Sequence, residues 1–176
     1  MKKIVIIGCC GGGKTTLAYE LSKKLSIDIH DLDDYFWHAG WVTTPDDRWR
    51  DIQHELVDSA SWVISGTYLS TLDIRTDAAD TIIFLDPPLW LCFWSVIKRN
   101  VKNYCRLERS LPKRIQNEHK FSFKAIKNDL GFLWYVLTFK KNFNAKIHKA
   151  LDCIKIDKKV YKLGSQKEVT QFIASL

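Results

Sequence analysis

Eight consecutive residues, Gly8-Cys9-Cys10-Gly11-Gly12-Gly13-Lys14-Thr15, constrain this chain more than any other stretch. They follow Lys3 to Ile7, a short β-branched run that reads as a buried strand. After them Leu17, Ala18, Leu21 and Leu25 recur at three- and four-residue spacing, which predicts an amphipathic helix from Lys14 to Leu25. Strand, glycine-rich turn and helix in that order match the GxxxxGK[ST] phosphate-binding loop in its required context. Glycines let the backbone curl until successive N–H groups point at phosphate oxygens, and the helix N-terminus adds its positive dipole end. On this reading Gly8, Gly11, Gly12, Gly13, Lys14, Thr15 and Thr16 contact ATP or a related nucleotide. Lys14 reaches the β- and γ-phosphates and Thr15 ligates Mg²⁺; the bland alternative is a structural glycine turn.

The rest of the chain alternates strand and helix signals. Ile27 to His30, Trp62 to Ser65, Thr81 to Leu85 and Val160 to Leu163 read as further strands. Thr44-Pro45-Asp46-Asp47 reads as a helix start, with Thr44 as cap and Trp49, Ile52 and Leu56 as the buried stripe. Gln166 to Leu176 reads as a last helix, and between Pro88 and about residue 150 only helical periods occur. Alternating strands and helices imply a parallel sheet covered on both faces, an α/β fold. At 176 residues and 46% hydrophobic content the chain can bury one sizeable core, so a single domain over residues 1–176 is expected.

Charge is distributed unevenly. Of a net +7, residues 98–149 hold fourteen Lys or Arg against Glu108, Glu118 and Asp129, a local +11, and the remainder sums to −4. This basic helical arm attracts anions: a phosphorylated substrate, nucleic acid, or only solvent counter-ions. Arg75, Arg99, Arg106, Arg109 and Arg114 are candidates to clamp phosphate oxygens in the fork of a planar guanidinium. The five cysteines, at 9, 10, 92, 105 and 153, form no CxxC pair, which favours reduced thiols and argues against a metal cage. Cys9 and Cys10 read as loop filler. No apolar run is long enough for a membrane span or a signal peptide, so a cytoplasmic location is expected.

Carboxylates mark the opposite side of the expected site. Asp31, Asp33 and Asp34 follow the second strand at the carboxyl edge of the sheet, where ligands of open α/β folds bind. Asp33 is the favoured acceptor-side base, and a metal ligand through water, against an ordinary turn or cap acid. Asp86 closes the strand from Thr81 and resembles a magnesium-binding Walker B acid, or else merely ends the strand before Pro87-Pro88. Asp80 reads as a structural cap. Trp37 and Trp41, near Asp33, are candidates to line an acceptor pocket; Trp49 and Trp62 read as core.

Taken together, these residues resemble the small P-loop proteins known as DNA topology modulation proteins (FlaR-like), relatives of adenylate kinase and other small-molecule kinases. The resemblance covers about residues 1–100. It rests on the loop through Leu17, Leu32-Asp33 with Trp37 and Gly40-Trp41, Trp49, Trp62 to Gly66 with Tyr68, Leu72-Asp73 with Arg75, Asp80 to Asp86, and Trp90-Leu91. It implies strand order 2-3-1-4-5, a mobile lid bearing arginines, nucleotide contacts at Gly8, Gly13, Lys14 and Thr15, and the acceptor role at Asp33. Ser65 and Thr67 depart from the family pattern, which usually has an acid and Asn there.

The function expected is ATP-dependent phosphoryl transfer to a small molecule or nucleotide, with Lys14, Asp33, Arg106, Arg109 and Arg114 as catalytic groups and Thr15, Asp33 and Asp86 around Mg²⁺. The alternative is a nucleic-acid-associated ATPase or regulator, with weak DNA binding by the basic arm. Because the loop lysine neutralises phosphate charge, Lys14→Ala is expected to weaken ATP binding or abolish turnover while leaving thermal stability intact. Calorimetry with MgATP and a thermal melt check both halves; unchanged ATP affinity and turnover would remove the phosphate-loop reading.

Overall fold

Ile4, Val5, Ile6 and Ile7 are all completely buried, and a strand with no exposed side must be covered on both faces. The computed structural model, which describes residues 1–104, 123–152, 154 and 158–176, shows how. The central strand β1 (Lys3–Gly8) leads through the glycine turn into α1 (Lys14–Leu25), β2 (Ile29–Asp31) and the single-turn α2 (Asp33–Phe36). A small antiparallel pair, β3 (Trp37–His38) and β4 (Val42–Thr43), precedes α3 (Asp46–Val57), β5 (Trp62–Ser65), α4 (Leu72–Ala78) and β6 (Thr81–Leu85). Next come α5 (Leu89–Tyr104), α6 (Phe123–Phe139), a π-helical turn (Lys140–Asn144), α7 (Ala145–Asp152), β7 (Lys159–Leu163) and α8 (Gln166–Ala174).

The main sheet is parallel throughout, ordered β2-β5-β1-β6-β7. Counting its five strands alone, this is 2-3-1-4-5, the order that the family resemblance implies. Alternate residues of β1 serve different layers. Ile4 and Ile6 pack with Leu17, Ala18 and Leu21 of α1 and Phe172 of α8, whereas Val5 and Ile7 join Trp49, Leu72, Cys92, Val136, Phe139 and Ile147. Both loop and helix therefore leave the sheet at its carboxyl edge, framed by β5 and β6.

Three sequence expectations are corrected here. Thr44 does not cap α3: Pro45 holds that position, and the buried Thr44 hydroxyl donates to the carbonyl of Tyr35 at 2.7 Å instead. The α3 stripe is Trp49, Gln53 and Val57, one residue later than expected after Trp49, because a buried glutamine carries no apolar signal. The segment read as a basic helical arm over residues 98–149 also contributes core, for Val136, Phe139 and Ile147, with Leu151 just beyond it, are buried in the cluster that includes Val5 and Ile7. Arg106, Arg109, Arg114, Cys105 and Cys153 lie outside the described residues. Asp80 is the cap expected of it, accepting from the N–H groups of Lys2 (2.7 Å) and Lys3 (3.0 Å). Among the described residues no helix is long and apolar enough to cross a membrane.

Phe139, 1% exposed and edge-packed on Tyr135, tests whether α6 belongs to the core. Phe139→Ala is expected to cost roughly 3–5 kcal/mol of unfolding free energy by urea titration. A cost near zero would mean that α6 is an independent arm.

Candidate functional site

β1 ends at Gly8, whose N–H donates to Thr67 Oγ1 (3.1 Å) while that hydroxyl donates back to the Gly8 carbonyl (2.7 Å). The loop is closed by Gly12 N–H on the Cys9 carbonyl at 3.1 Å and enters α1 through Gly13 at φ +88°. No side chain caps α1, so its first N–H groups and its positive dipole end are directed at the loop's concave side. Lys14 Nζ donates to the carbonyls of Gly8 and Cys9, both at 3.0 Å, which holds the ammonium over the loop. Cys9 is buried against Cys92 of α5. Hydrogen bonding to Cys92, then burial, pushes the Cys9 thiol up, as suits packing rather than thiolate chemistry.

The carboxylates divide their partners. Thr15 Oγ1 donates to Asp31 Oδ2 at 2.9 Å, and Asp33 N–H donates to Asp31 Oδ1 at 3.2 Å. Asp33, expected beside Thr15 as a metal ligand, instead accepts from the Tyr68 hydroxyl at 2.6 Å through Oδ1. Burial first, then the charge of Asp33, pushes the Asp31 carboxyl up despite the Thr15 hydrogen bond. Such a carboxylate gains from a nearby cation, and Thr15 with Asp31 offers two hard oxygens of the kind Mg²⁺ takes. Among the described residues no group of three or more His, Cys, Asp or Glu comes together, so a cation here would complete its shell with phosphate and water oxygens.

Asp86 is engaged from the basic segment. Its Oδ1 accepts from Lys140 Nζ at 2.7 Å and from Asn144 Nδ2 at 3.4 Å. Both donors come from the π-helical turn, a rare geometry that recurs at functional sites. Asp86 thus faces a lysine, and a metal there would have to displace it. Pro87, the next residue, lies against the loop: a Cβ on Gly12 would stand 3.6 Å from its ring. Lys140 is therefore the described arm cation placed beside the loop, a role the sequence reading gave to arginines.

Arg75 is not a phosphate clamp. It is completely buried, and its guanidinium donates to the carbonyls of Gly66 (2.6 Å), Thr67 (3.2 Å) and Tyr68 (2.9 Å). Burial pulls it down to about 9, still charged at neutral pH. Arg99 lies 5.8 Å over the Phe132 ring. Trp37 and Trp41 meet edge to face at 5.5 Å, and Trp37 continues through Phe36 (5.1 Å) to Tyr68 (4.7 Å from Phe36), so the aromatic chain ends at the hydroxyl that holds Asp33. A cavity of about 540 Å³ between α4 and α7, lined by Leu72, Asp73, Asp77 and Lys146 among others, includes no loop residue.

Sequence reasoning placed Asp31, Asp33 and Asp34 together after a strand ending at His30 and favoured Asp33; the strand runs to Asp31, whose carboxylate accepts from Thr15. Lys140, Asn144, Thr67 and Tyr68 received no functional role, since no spacing rule marks a side chain that reaches its partner across the sheet edge.

No protein-family model matches the chain. Protein YqaC of Bacillus subtilis (strain 168) is 29% identical over 86 residues, which are 48% of this chain and 48% of that protein, so the match spans about half the length of the curated relative. Among solved structures, shikimate kinase from Bacteroides thetaiotaomicron superposes with a TM-score of 0.55 at 16% identity, covering 98% of this chain and 94% of that one. Shikimate kinase from Acinetobacter baumannii, in complex with shikimate, gives 0.56 at 14%, covering 99% and 90%. A gluconokinase from Sinorhizobium meliloti 1021 gives 0.50 at 13%, covering 99% and 92%. At these identities the likeness establishes the fold alone: an α/β architecture with a five-stranded parallel sheet flanked by helices, shared with those kinases.

Two loop glycines separate shape from contact. A Cβ on Gly11 would lie 2.4 Å from the Cys92 carbonyl oxygen of α5, whereas one on Gly13 meets nothing within 4 Å. Both have positive φ, so either alanine is strained, by about 1 kcal/mol. Gly11→Ala is expected to be the more destabilising by roughly 1–3 kcal/mol in urea unfolding, because α5 must move. Equal losses would mean that the loop does not rest on α5.

Proposed function

We propose that this chain is an ATP-dependent phosphotransferase that transfers a phosphoryl group to the hydroxyl of a small molecule. The observation that carries the reading is the pairing of Thr15 with Asp31 on the phosphate loop while a second carboxylate, Asp33, stands two residues away with a different partner. One carboxylate serves the metal side and the other the acceptor side, a division that a passive nucleotide binder does not need. The kinases of shikimate and gluconate that share the fold support a small hydroxylated acceptor.

In this reading the N–H groups of the loop from Gly8 to Thr16 bind the phosphates of ATP, and Lys14 neutralises their charge. Thr15 and Asp31 hold Mg²⁺, which when bound neutralises charge building on the phosphate oxygens. Asp33 orients the acceptor hydroxyl and receives its proton. Lys140 brings a further positive charge from the π-helical turn, and Asp86 keeps it in place. Arg106, Arg109 and Arg114 remain proposed phosphate contacts.

The resemblance to topology modulation proteins supports the same site with a nucleic-acid setting. The local +11 of residues 98–149 favours weak, strongly salt-dependent DNA contact as its accompaniment.

An ATP-consumption screen over sugars, hydroxy acids, nucleosides and nucleotides identifies the acceptor. With that acceptor, Asp33→Asn is expected to lower turnover roughly 10²-fold or more with little change in ATP affinity. Asp31→Asn is expected to raise the Mg²⁺ concentration needed for half-maximal rate about tenfold, as loss of one charged ligand implies. Normal turnover in the first variant, or an unmoved Mg²⁺ dependence in the second, would reverse the corresponding assignment.

A further inference from the structure

The turn between β5 and α4 touches both halves of the site. Thr67 exchanges two hydrogen bonds with Gly8 at the root of the phosphate loop, and the next residue, Tyr68, donates to Asp33 Oδ1 at 2.6 Å. Gly66, just before them, is pressed on Leu32: a Cβ there would stand 2.8 Å from Leu32 Cβ. The turn has no freedom of its own, because the three carbonyls of Gly66, Thr67 and Tyr68 all accept from the buried guanidinium of Arg75. The Tyr68 ring is wedged between Phe36 at 4.7 Å and Trp49 at 4.9 Å, which fixes the direction of its hydroxyl.

We propose that Tyr68 is the positioning residue of Asp33, and that Arg75 sets it, so that the Gly66–Tyr68 turn holds the acceptor-side carboxylate at a fixed place relative to the phosphate loop. This rests on the phosphotransferase reading of Asp33. A carboxylate on a single-turn helix at the sheet edge has several rotamers; one short bond from a rigid phenol selects among them and leaves Oδ2 for the acceptor. Burial, followed by the charge of Asp33, pushes the Tyr68 phenol up, so it stays a donor at every working pH. Arg75 acts twice removed: it touches neither substrate nor Asp33, and its fork ties together three successive turn carbonyls, of which that of Tyr68 also accepts from the Thr71 N–H at 3.3 Å.

The test uses γ-labelled ATP with Mg²⁺ and water as the acceptor, so no identified substrate is needed. Tyr68→Phe keeps the ring packing and removes only the hydroxyl. It is expected to bind MgATP within about twofold of wild type by calorimetry and to release labelled phosphate roughly tenfold more slowly, the worth of one charge-assisted hydrogen bond. In an Asp33→Asn background the same change is expected to cost nothing further, because a positioning residue acts only through its target. Arg75→Lys is expected to slow release when Tyr68 is present and not in the Tyr68→Phe protein; should Arg75→Lys fail to fold, the Tyr68 and Asp33 pair decides alone. Unaltered release by Tyr68→Phe, or losses that multiply in the double variant, would overturn the positioning role while leaving the kinase reading intact. A wild-type protein that neither binds MgATP nor releases phosphate would overturn the kinase reading, and this proposal with it.

Discussion

The register that sets Gly8 beside Leu85 is the constraint from which the site follows. β1 is central in a parallel sheet and buried on both faces, so its end cannot move without opening two hydrophobic layers. A glycine at that end lets β6 approach until the Leu85 carbonyl occupies the space a Cβ would need, 2.2 Å away. The loop that follows is therefore built on a strand buried on both faces. Phosphate recognition by backbone N–H groups demands this, because a backbone cannot adjust by changing rotamer as a side chain can. The neighbouring strands then bring their own ends level with the loop: Asp31 from β2, Thr67 and Tyr68 after β5, and Asp86 after β6.

Charge at this edge is arranged in pairs rather than pooled. Asp86 is matched by Lys140, both about one-third exposed, so the pair is screened less than a surface bridge and more than a core one. Among the described residues Asp31 has a hydroxyl and an N–H as partners but no cation, and Asp33 has a phenol. Two carboxylates two residues apart without a countercharge repel each other, and burial adds to the cost at Asp31. An evolved fold tolerates that cost where a cation or a proton in transit will use it. The fully buried Arg75 feels the carboxylate of Asp73 but makes no close ion pair among the described residues. Its charge is dispersed over three carbonyl dipoles, which order the turn.

What could be read from the sequence was what depends on local pattern. The phosphate loop, the α1 boundaries and five strands follow from glycine spacing and apolar period, because those signals act within about a dozen residues. The strand order came from resemblance; nothing in composition orders strands. Failures occurred where a long-range contact outweighed local chemistry. Thr44 has a capping side chain, but the Tyr35 carbonyl nine positions away holds it. Arg75 looks like any other candidate clamp until burial shows that it faces inward. Lys140 is one of fourteen basic residues in its segment, and its ion pair with Asp86 is what separates it from Lys141 in the same π-helical turn. Charge counting located the cationic region without telling which of its members face the loop.

That distinction bears on the two competing readings of the basic segment. A nucleic-acid surface needs cations free to meet a line of phosphates, and each one committed to an internal contact reduces the salt-dependent part of binding. Lys140 is committed to Asp86, and Arg99 lies over Phe132. Val136, Phe139, Ile147 and Leu151 turn the inner faces of α6 and α7 toward the sheet, so only their outer faces can present charge. At the end of β2, Asp31 lies close enough to Asp33 to feel its charge, and a polyanion would be repelled there. Of the described cations in this segment, Arg99 and Lys140 face internal partners, whereas Lys98, Lys102, Lys141, Lys146 and Lys149 are exposed. In the proposed reading a small anionic donor arrives with its own divalent cation, and the outward cations account for the weak, salt-dependent DNA contact proposed beside it.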